Sequence, residues 1–279
     1  MNSTVVDEEF GMAFLSACET ERITQINEAI ASGRLSRSFL DEGLVRATGK
    51  GIKPGYKDII IALLAAGACI TPWSLNALHG EDVEQDPAVV RLYFDHGLDP
   101  NATQTGGEPI LGFMLEPACA REFLLRGADP NATGPQKKTP LYRAIRSGRV
   151  ELADLLIDYG AKVETNLLFE TVGSRKRYGD IMTKYLLDRG VDPNRANSEE
   201  FGGPLHLAVL CSKPHIIKML LDAGADPTAP SSGWRYHGQT PEQIILETFS
   251  DQEDAIAEEN AVLRLLRLGQ AENPEPQEV

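Results

Sequence analysis

Along the chain, apolar side chains fall at spacings of three and four inside short blocks, and the blocks alternate with turns rich in glycine, proline and asparagine. Residues 139 to 161, TPLYRAIRSGRVELADLLIDYGA, show the pattern in full. Thr139 is placed to cap a helix whose first turn holds Pro140, where a missing N–H costs nothing. Leu141, Ala144 and Ile145 then share one helical face. SGR turns the chain, and a second helix presents Leu152, Leu155 and Leu156 before Gly160, a residue free to take the left-handed conformation that ends a helix. A hairpin of this kind cannot bury its apolar faces alone, so the pattern predicts stacking of like units.

The same ending recurs as LLAAGACI (63–70), YFDHGLDPN (93–101), FLLRGADPN (123–131), LLIDYGAKV (155–163), YLLDRGVDPN (185–194) and LLDAGADPT (220–228). From Gly33 through Gly67, Gly97, Gly127, Gly160 and Gly190 to Gly224 the glycines stand 34, 30, 30, 33, 30 and 34 residues apart. A period near thirty-three residues is that of one supersecondary unit. INEAIASGRL (26–35) opens the series and LLRLGQ (265–270) closes it.

KTPLYRAIRSG, GGPLHLAVLCS, GQTPEQIILE and the GADPNAT and GVDPNRAN endings resemble the ankyrin repeat family, in register across roughly residues 60 to 270. The resemblance implies an all-α solenoid of seven or eight stacked helix-turn-helix repeats, each joined to the next by a β-hairpin finger. Residues 1–60 match weakly and read as one or two degenerate capping repeats, residues 61–270 as the solenoid, and residues 271–279 (AENPEPQEV) as a disordered acidic tail. Fingers are nearly missing after Gly33, Gly67 and Gly160, have full length between Gly127 and Pro140, and are enlarged after Gly190 and Gly224.

Composition narrows the function. A net charge of -14, of which residues 247–279 contribute -7, repels phosphate backbones and argues against a nucleic-acid partner. No basic start followed by an apolar core opens the chain, and no apolar run approaches a bilayer span, so the expected place is the cytoplasm, with the nucleus open to it and no membrane partner. Cys18, Cys69, Cys119 and Cys211 lie far apart without CxxC spacing and are expected to be small, buried, reduced thiols.

Candidate sites cluster late in the chain. The enlarged finger APSSGWRYHG sets Trp234, Arg235, Tyr236 and His237 side by side, residue types that anchor interfaces, and insertions in repeat proteins map to one face that often binds. Trp234 is either a binding residue there or local packing against the neighbouring unit. Arg195 and Phe201 in the preceding finger, and Lys137 and Lys138 in the finger before Pro140, complete the partner-binding set. The expected function is a non-catalytic module that binds another protein through its concave face and long late fingers. The alternative is a small-molecule site or a non-redox enzyme of proton-transfer or cyclisation type, with a pocket near residues 194–239 and Tyr236, His237, Glu199 or Glu200 moving protons. His206 is assigned by the resemblance to a hydrogen bond with the adjoining turn. Cys211 and His215 straddle Pro214 in a turn, and His79 and His96 lack ligand spacing, so no metal is expected. GKGIKPG (49–55) fits no phosphate-loop spacing, and no cofactor is expected.

Overall fold

The computed structural model describes residues 3–50, 53–79, 84–174, 178–195, 198–211, 213–249 and 256–272. Of the acidic tail expected at 271–279, residues 273–279 lie outside that set, as do Gly51 and Ile52 of GKGIKPG. The described residues form α-helices joined by turns, with no strand: α1 (Ser3–Glu19), α2 (Ile23–Ala31), α3 (Arg37–Thr48), α4 (Pro54–Ala65), α5 (Pro72–Asn76), α6 (Pro87–Asp95), α7 (Pro117–Leu125), α8 (Pro140–Arg146), α9 (Val150–Asp158), α10 (Asn166–Val172), α11 (Tyr178–Asp188), α12 (Pro204–Leu210), α13 (Pro214–Asp222), α14 (Pro241–Phe249) and α15 (Ile256–Glu272). A single 3-10 turn, Ile110–Phe113, stands where the partner of α7 is expected. Pro117 forbids the helical conformation at the residue before it, so a helix begun after Pro109 has room for one turn only.

Two compact units divide the chain, Met1–Arg143 with Glu151–Ala161 and Ala144–Val150 with Lys162–Val279. In the first, α1, α3 and α5 stack as an inner row while α2, α4, α6 and α7 form the outer row. The second repeats the plan, with α10, α12 and α14 inside and α11, α13 and α15 outside. This is the stacked hairpin arrangement of an all-α solenoid.

Local chemistry explains why the hairpins begin and end where they do. Thr71, Thr139 and Thr240 each accept a hydrogen bond from the backbone N–H three residues on, satisfying a donor that the first helical turn leaves open. At the other end, the seven repeat glycines all have positive φ, from 66° at Gly33 to 95° at Gly160, the backbone state that closes a helix and that a side chain would strain. In the DPN and DPT turns that follow, the Asp99, Asp129, Asp192 and Asp226 carboxylates each accept from the N–H two residues on, at 2.8 Å. Asparagines then tie neighbouring turns: Asn131 Nδ2 donates to the Gly160 carbonyl at 2.9 Å, and Asn194 Nδ2 to that of Gly224 at 2.8 Å.

Packing follows the apolar periodicity. Leu141, Ala144, Ile145, Leu152, Leu155 and Leu156 are all buried, as the spacing predicts. Buried hydroxyls are paired, Thr48 with Tyr93 at 2.6 Å and Thr183 with Thr171 at 2.9 Å, and burial pushes the Tyr93 phenol up to about 12. Burial also raises the Cys18 and Cys119 thiols to about 12, which leaves them inert. The expectation for the other two cysteines needs correction. Cys69 is half-buried, and Cys211 is exposed because it occupies the C-cap of α12, past the last position that faces the core.

Finger lengths vary as the sequence pattern implies. Only a few residues separate Gly33 from α3, Gly67 from α5 and Gly160 from α10, whereas full or enlarged fingers follow Gly97, Gly127, Gly190 and Gly224. The fingers are built of turns rather than β-strands. Isolated antiparallel bridges, Thr103 with Pro109 and Ser198 with Gly202, mark where a hairpin ladder would begin.

Candidate functional site: two pairs of fingers

Each unit holds one pair of adjacent fingers, fastened differently. In the second unit the fingers are residues 194–203 and 228–240. Ser198 and Gly202 exchange backbone hydrogen bonds at 2.7 and 3.0 Å, making a tight loop whose outer carbonyls face the next finger. There the N–H of Trp234 donates to the Glu199 carbonyl at 2.9 Å and the N–H of Arg235 to the Glu200 carbonyl at 3.2 Å. Gly233 makes the approach possible, because a Cβ on it would lie 2.4 Å from the Glu200 oxygen and 2.5 Å from the Gly202 nitrogen. Buried Ser231 closes the base: its hydroxyl donates to the Phe201 carbonyl and accepts from the Gly233 N–H, and its backbone pairs with Gln239 and Gly238.

Backbone groups, aided by the Ser231 hydroxyl, therefore do most of the fastening, and of the side chains of 234–237 only Arg235 reaches the other finger. Trp234 is 70% exposed, so it does not fold back as local packing. The Arg235 guanidinium forms an ion pair with the Glu200 carboxylate at 3.0 Å and lies 5.9 Å from the centroids of both the Phe201 and Tyr236 rings. Phe201 in turn stacks on Phe169 of α10, centroids 6.4 Å apart. The structure thus brings Glu200, Phe201, Arg235 and Tyr236 together and adds Phe169, which the sequence did not suggest. Glu199 and His237 are exposed, and their side chains have no hydrogen-bond or ion-pair partner among the described residues. Arg195 is 80% exposed, and among the described residues its guanidinium reaches Asp192, at 4.0 Å. Cavities of about 610 and 350 Å³ occur elsewhere, between α11 and α13 and against α1 and α2.

His206 lies beneath this pair of fingers. Its Nδ1 accepts from the Gly203 N–H at 3.2 Å and its Nε2 lies 3.0 Å from the Ala229 carbonyl, so the ring links the start of α12 to the adjoining turn. Burial holds its pKa below the usual histidine value, with these hydrogen bonds opposing the shift. His215 pairs with Asp180 at 2.9 Å. Among the described residues no three His, Cys, Asp or Glu side chains converge to hold a metal ion, and no helix is long and apolar enough to cross a membrane.

In the first unit the fingers are residues 101–109 and 131–139, and a side chain fastens them. Glu108, whose side chain is only 2% exposed, accepts from the Gln136 N–H at 2.6 Å and from Arg143 Nη2 at 2.9 Å. Gly134 presses on its backbone, where a Cβ would lie 2.7 Å from the Glu108 Cα. Arg143 also covers the Phe113 ring at 4.2 Å, and His79 stacks on that ring with centroids 4.5 Å apart while its Nε2 meets Gln104 Oε1 at 3.2 Å. Burial is the main cause that holds the His79 pKa below its usual value. Glu108, Arg143 and Phe113 were not sequence candidates, and His79 was weighed in the sequence only as a metal ligand. The available signal was Glu108 itself, a carboxylate standing where other units carry the capping threonine before proline. At the tip, Lys137 is exposed with φ 54°, and the Lys138 ammonium sits 3.9 Å over the Tyr142 ring.

Comparison with known proteins agrees with this geometry. The ankyrin repeat family matches residues 136–165 and, separately, residues 203–232. The chain carries ankyrin repeats. Among solved structures, the ankyrin repeat domain of Bcl-3, a member of the IkappaB protein family, is 20% identical with a TM-score of 0.54, over 72% of this chain and 92% of that one. An ankyrin repeat domain from Acinetobacter baumannii AYE is 18% identical with a TM-score of 0.55, over 71% of this chain and 98% of that one. Both are likenesses of fold. A search by sequence against curated proteins found no match. Ankyrin repeats form a general protein-interaction scaffold, and in this chain the fingers are the irregular, individual part.

Proposed function

We propose that this chain is a non-catalytic interaction module that holds a partner protein against fingers 194–203 and 228–240, with Trp234 and Tyr236 as anchors. The carrying observation is that an indole 70% exposed to water sits on a backbone pinned from the neighbouring finger. An exposed aromatic on a rigid support loses little conformational freedom when it is covered, which is the condition for a strong contact. Large aromatics bury about 150–250 Å² each, so covering the 70% of Trp234 that faces water contributes on the order of 3 kcal/mol at about 25 cal/mol per Å². Arg235, fixed by Glu200 beside Phe201 and Tyr236, supplies a polar rim. The setting is a reducing compartment, the cytoplasm or the nucleus, in keeping with four cysteines that remain free thiols.

The test is a titration of the full chain with a purified partner first recovered on it. Trp234→Ala combined with Tyr236→Ala should weaken binding by about 2 kcal/mol, roughly thirty-fold, and leave thermal unfolding unchanged. Undiminished affinity in the double variant removes this finger pair from the function.

A further inference from the structure

We infer that the fingertip at Lys137 and Lys138 is a second docking surface and that its ligand is an acidic peptide segment, a run of Asp or Glu side chains on a partner protein. From Pro130 to Val150 the chain holds Lys137, Lys138, Arg143, Arg146 and Arg149 and no carboxylate, within a protein of net charge -14. Within the finger the cations are not equivalent. Arg143 is already matched by buried Glu108 at 2.9 Å. Lys137 and Lys138 have no carboxylate partner among the described residues.

The backbone of Lys137 and the ammonium of Lys138 are set before any ligand arrives. The Lys137 N–H donates to the Gly134 carbonyl at 2.9 Å, closing the turn that sets its left-handed φ of 54°. The Lys138 ammonium rests over the Tyr142 ring at 3.9 Å, an attraction that orders the side chain without neutralising it. Beneath them the Glu108 carboxylate is turned inward onto Gln136 and Arg143, so it does not compete for the lysines. Two unmatched cations on successive residues, one on a fixed backbone and one with its ammonium ordered, fit two carboxylates of an extended acidic segment.

The charge of the rest of the molecule separates this ligand from other polyanions. Screening confines each charge to about 8–10 Å at physiological salt, so a short acidic peptide meets mainly the local lysines. A nucleic acid runs beyond that range into a strongly acidic protein, without the extended basic track its phosphates require.

Fluorescein-labelled hexaglutamate, hexaglutamine and a six-residue oligothymidylate, each titrated into the full chain and read by anisotropy, test the assignment. Hexaglutamate should bind and weaken as salt is raised, and hexaglutamine should not bind. Lys137→Gln with Lys138→Gln should weaken hexaglutamate about ten-fold, the scale of two exposed charge pairs within their usual range. The charge-reversed pair, Lys137→Glu with Lys138→Glu, should abolish binding, while Trp234→Ala leaves it unchanged. Thermal melts accompany each variant, and Lys137→Gln alone carries the test if a double variant unfolds. The inference is overturned if the parent chain fails to bind hexaglutamate, if the lysine variants bind it as the parent does, or if hexaglutamine or oligothymidylate binds equally well.

Discussion

The two finger pairs solve one problem, the close approach of neighbouring loops across a glycine, by different means. At 101–109 and 131–139 a carboxylate reaches across, and its buried ion pair with Arg143 draws Phe113 and His79 into the same cluster. At 194–203 and 228–240 backbone amides meet backbone carbonyls directly, and no side chain of Trp234 to His237 is needed for the backbone pairing. Fastening by a side chain consumes the polar and aromatic groups nearby. Fastening by the backbone frees them, which is how Trp234 comes to be presented to solvent. Surface chemistry follows from that difference: an aromatic tip in the second unit, and in the first a cationic tip whose remaining arginine is tied inward.

The sharpest way to break the comparison is to remove the side-chain fastener. Glu108→Ala strands Arg143 beside a buried site and leaves the Gln136 N–H without its acceptor. Breaking a buried pair costs about 3–5 kcal/mol, and the part-exposed arginine places this one near the lower end. Urea unfolding of the variant measures the loss, and a change within 0.5 kcal/mol would show that Glu108 does not fasten the fingers. Next in size are the glycines. Gly134→Ala and Gly233→Ala each insert a methyl group closer than any Cβ tolerates to an opposing backbone, for about 1–3 kcal/mol apiece, with Gly233 the more severe because its nearest contacts are at 2.4 and 2.5 Å. Equal stability of either variant with the parent would mean that its finger pair is more open than described.

The smallest effect is a pH dependence, and it sharpens the contrast because each unit sets one histidine into the fold, His79 half-buried and His206 buried. His79 and His206 are both held below the ordinary value in the fold, chiefly by burial. The unfolded chain therefore takes up protons first as pH falls. Their contribution to stability is complete above about pH 6.5, the unfolded value, and is lost as pH drops through it toward the folded values. The melting temperature should fall between pH 7 and pH 5. His206→Gln should reduce that fall through the second unit and His79→Gln through the first. A fall of undiminished size in both variants would assign the pH dependence to other groups.

Much of this was legible in the sequence because it is local. Helical spacing places Leu141, Ala144 and Ile145 on one face whatever surrounds them, a glycine at the end of each block needs no distant partner to turn left-handed, and the short interval between Gly67 and Pro72 leaves no length for a finger. Resemblance also assigned His206 to the hydrogen bonds it makes, since its partners lie in a motif that recurs in register. The one-turn 3-10 segment at Ile110–Phe113 was readable in principle from the prolines that bracket it.

Other features depend on residues far apart in the chain that only stacking brings together. Glu108 stands 28 residues from Gln136 and 35 from Arg143, and nothing in its own surroundings shows that its carboxylate is buried. His79 meets Phe113, and Phe169 meets Phe201, across successive repeats. Trp234 carries the same sequence signal whether it covers a neighbour or faces water. Its exposure is decided only once the neighbouring finger is in place. Repeat phase, helix ends and finger length are set by interactions within a few residues, so the sequence determined them by itself. Which side chains are consumed in holding the fingers and which remain exposed is a competition among groups from different repeats, and only the tertiary structure decides it.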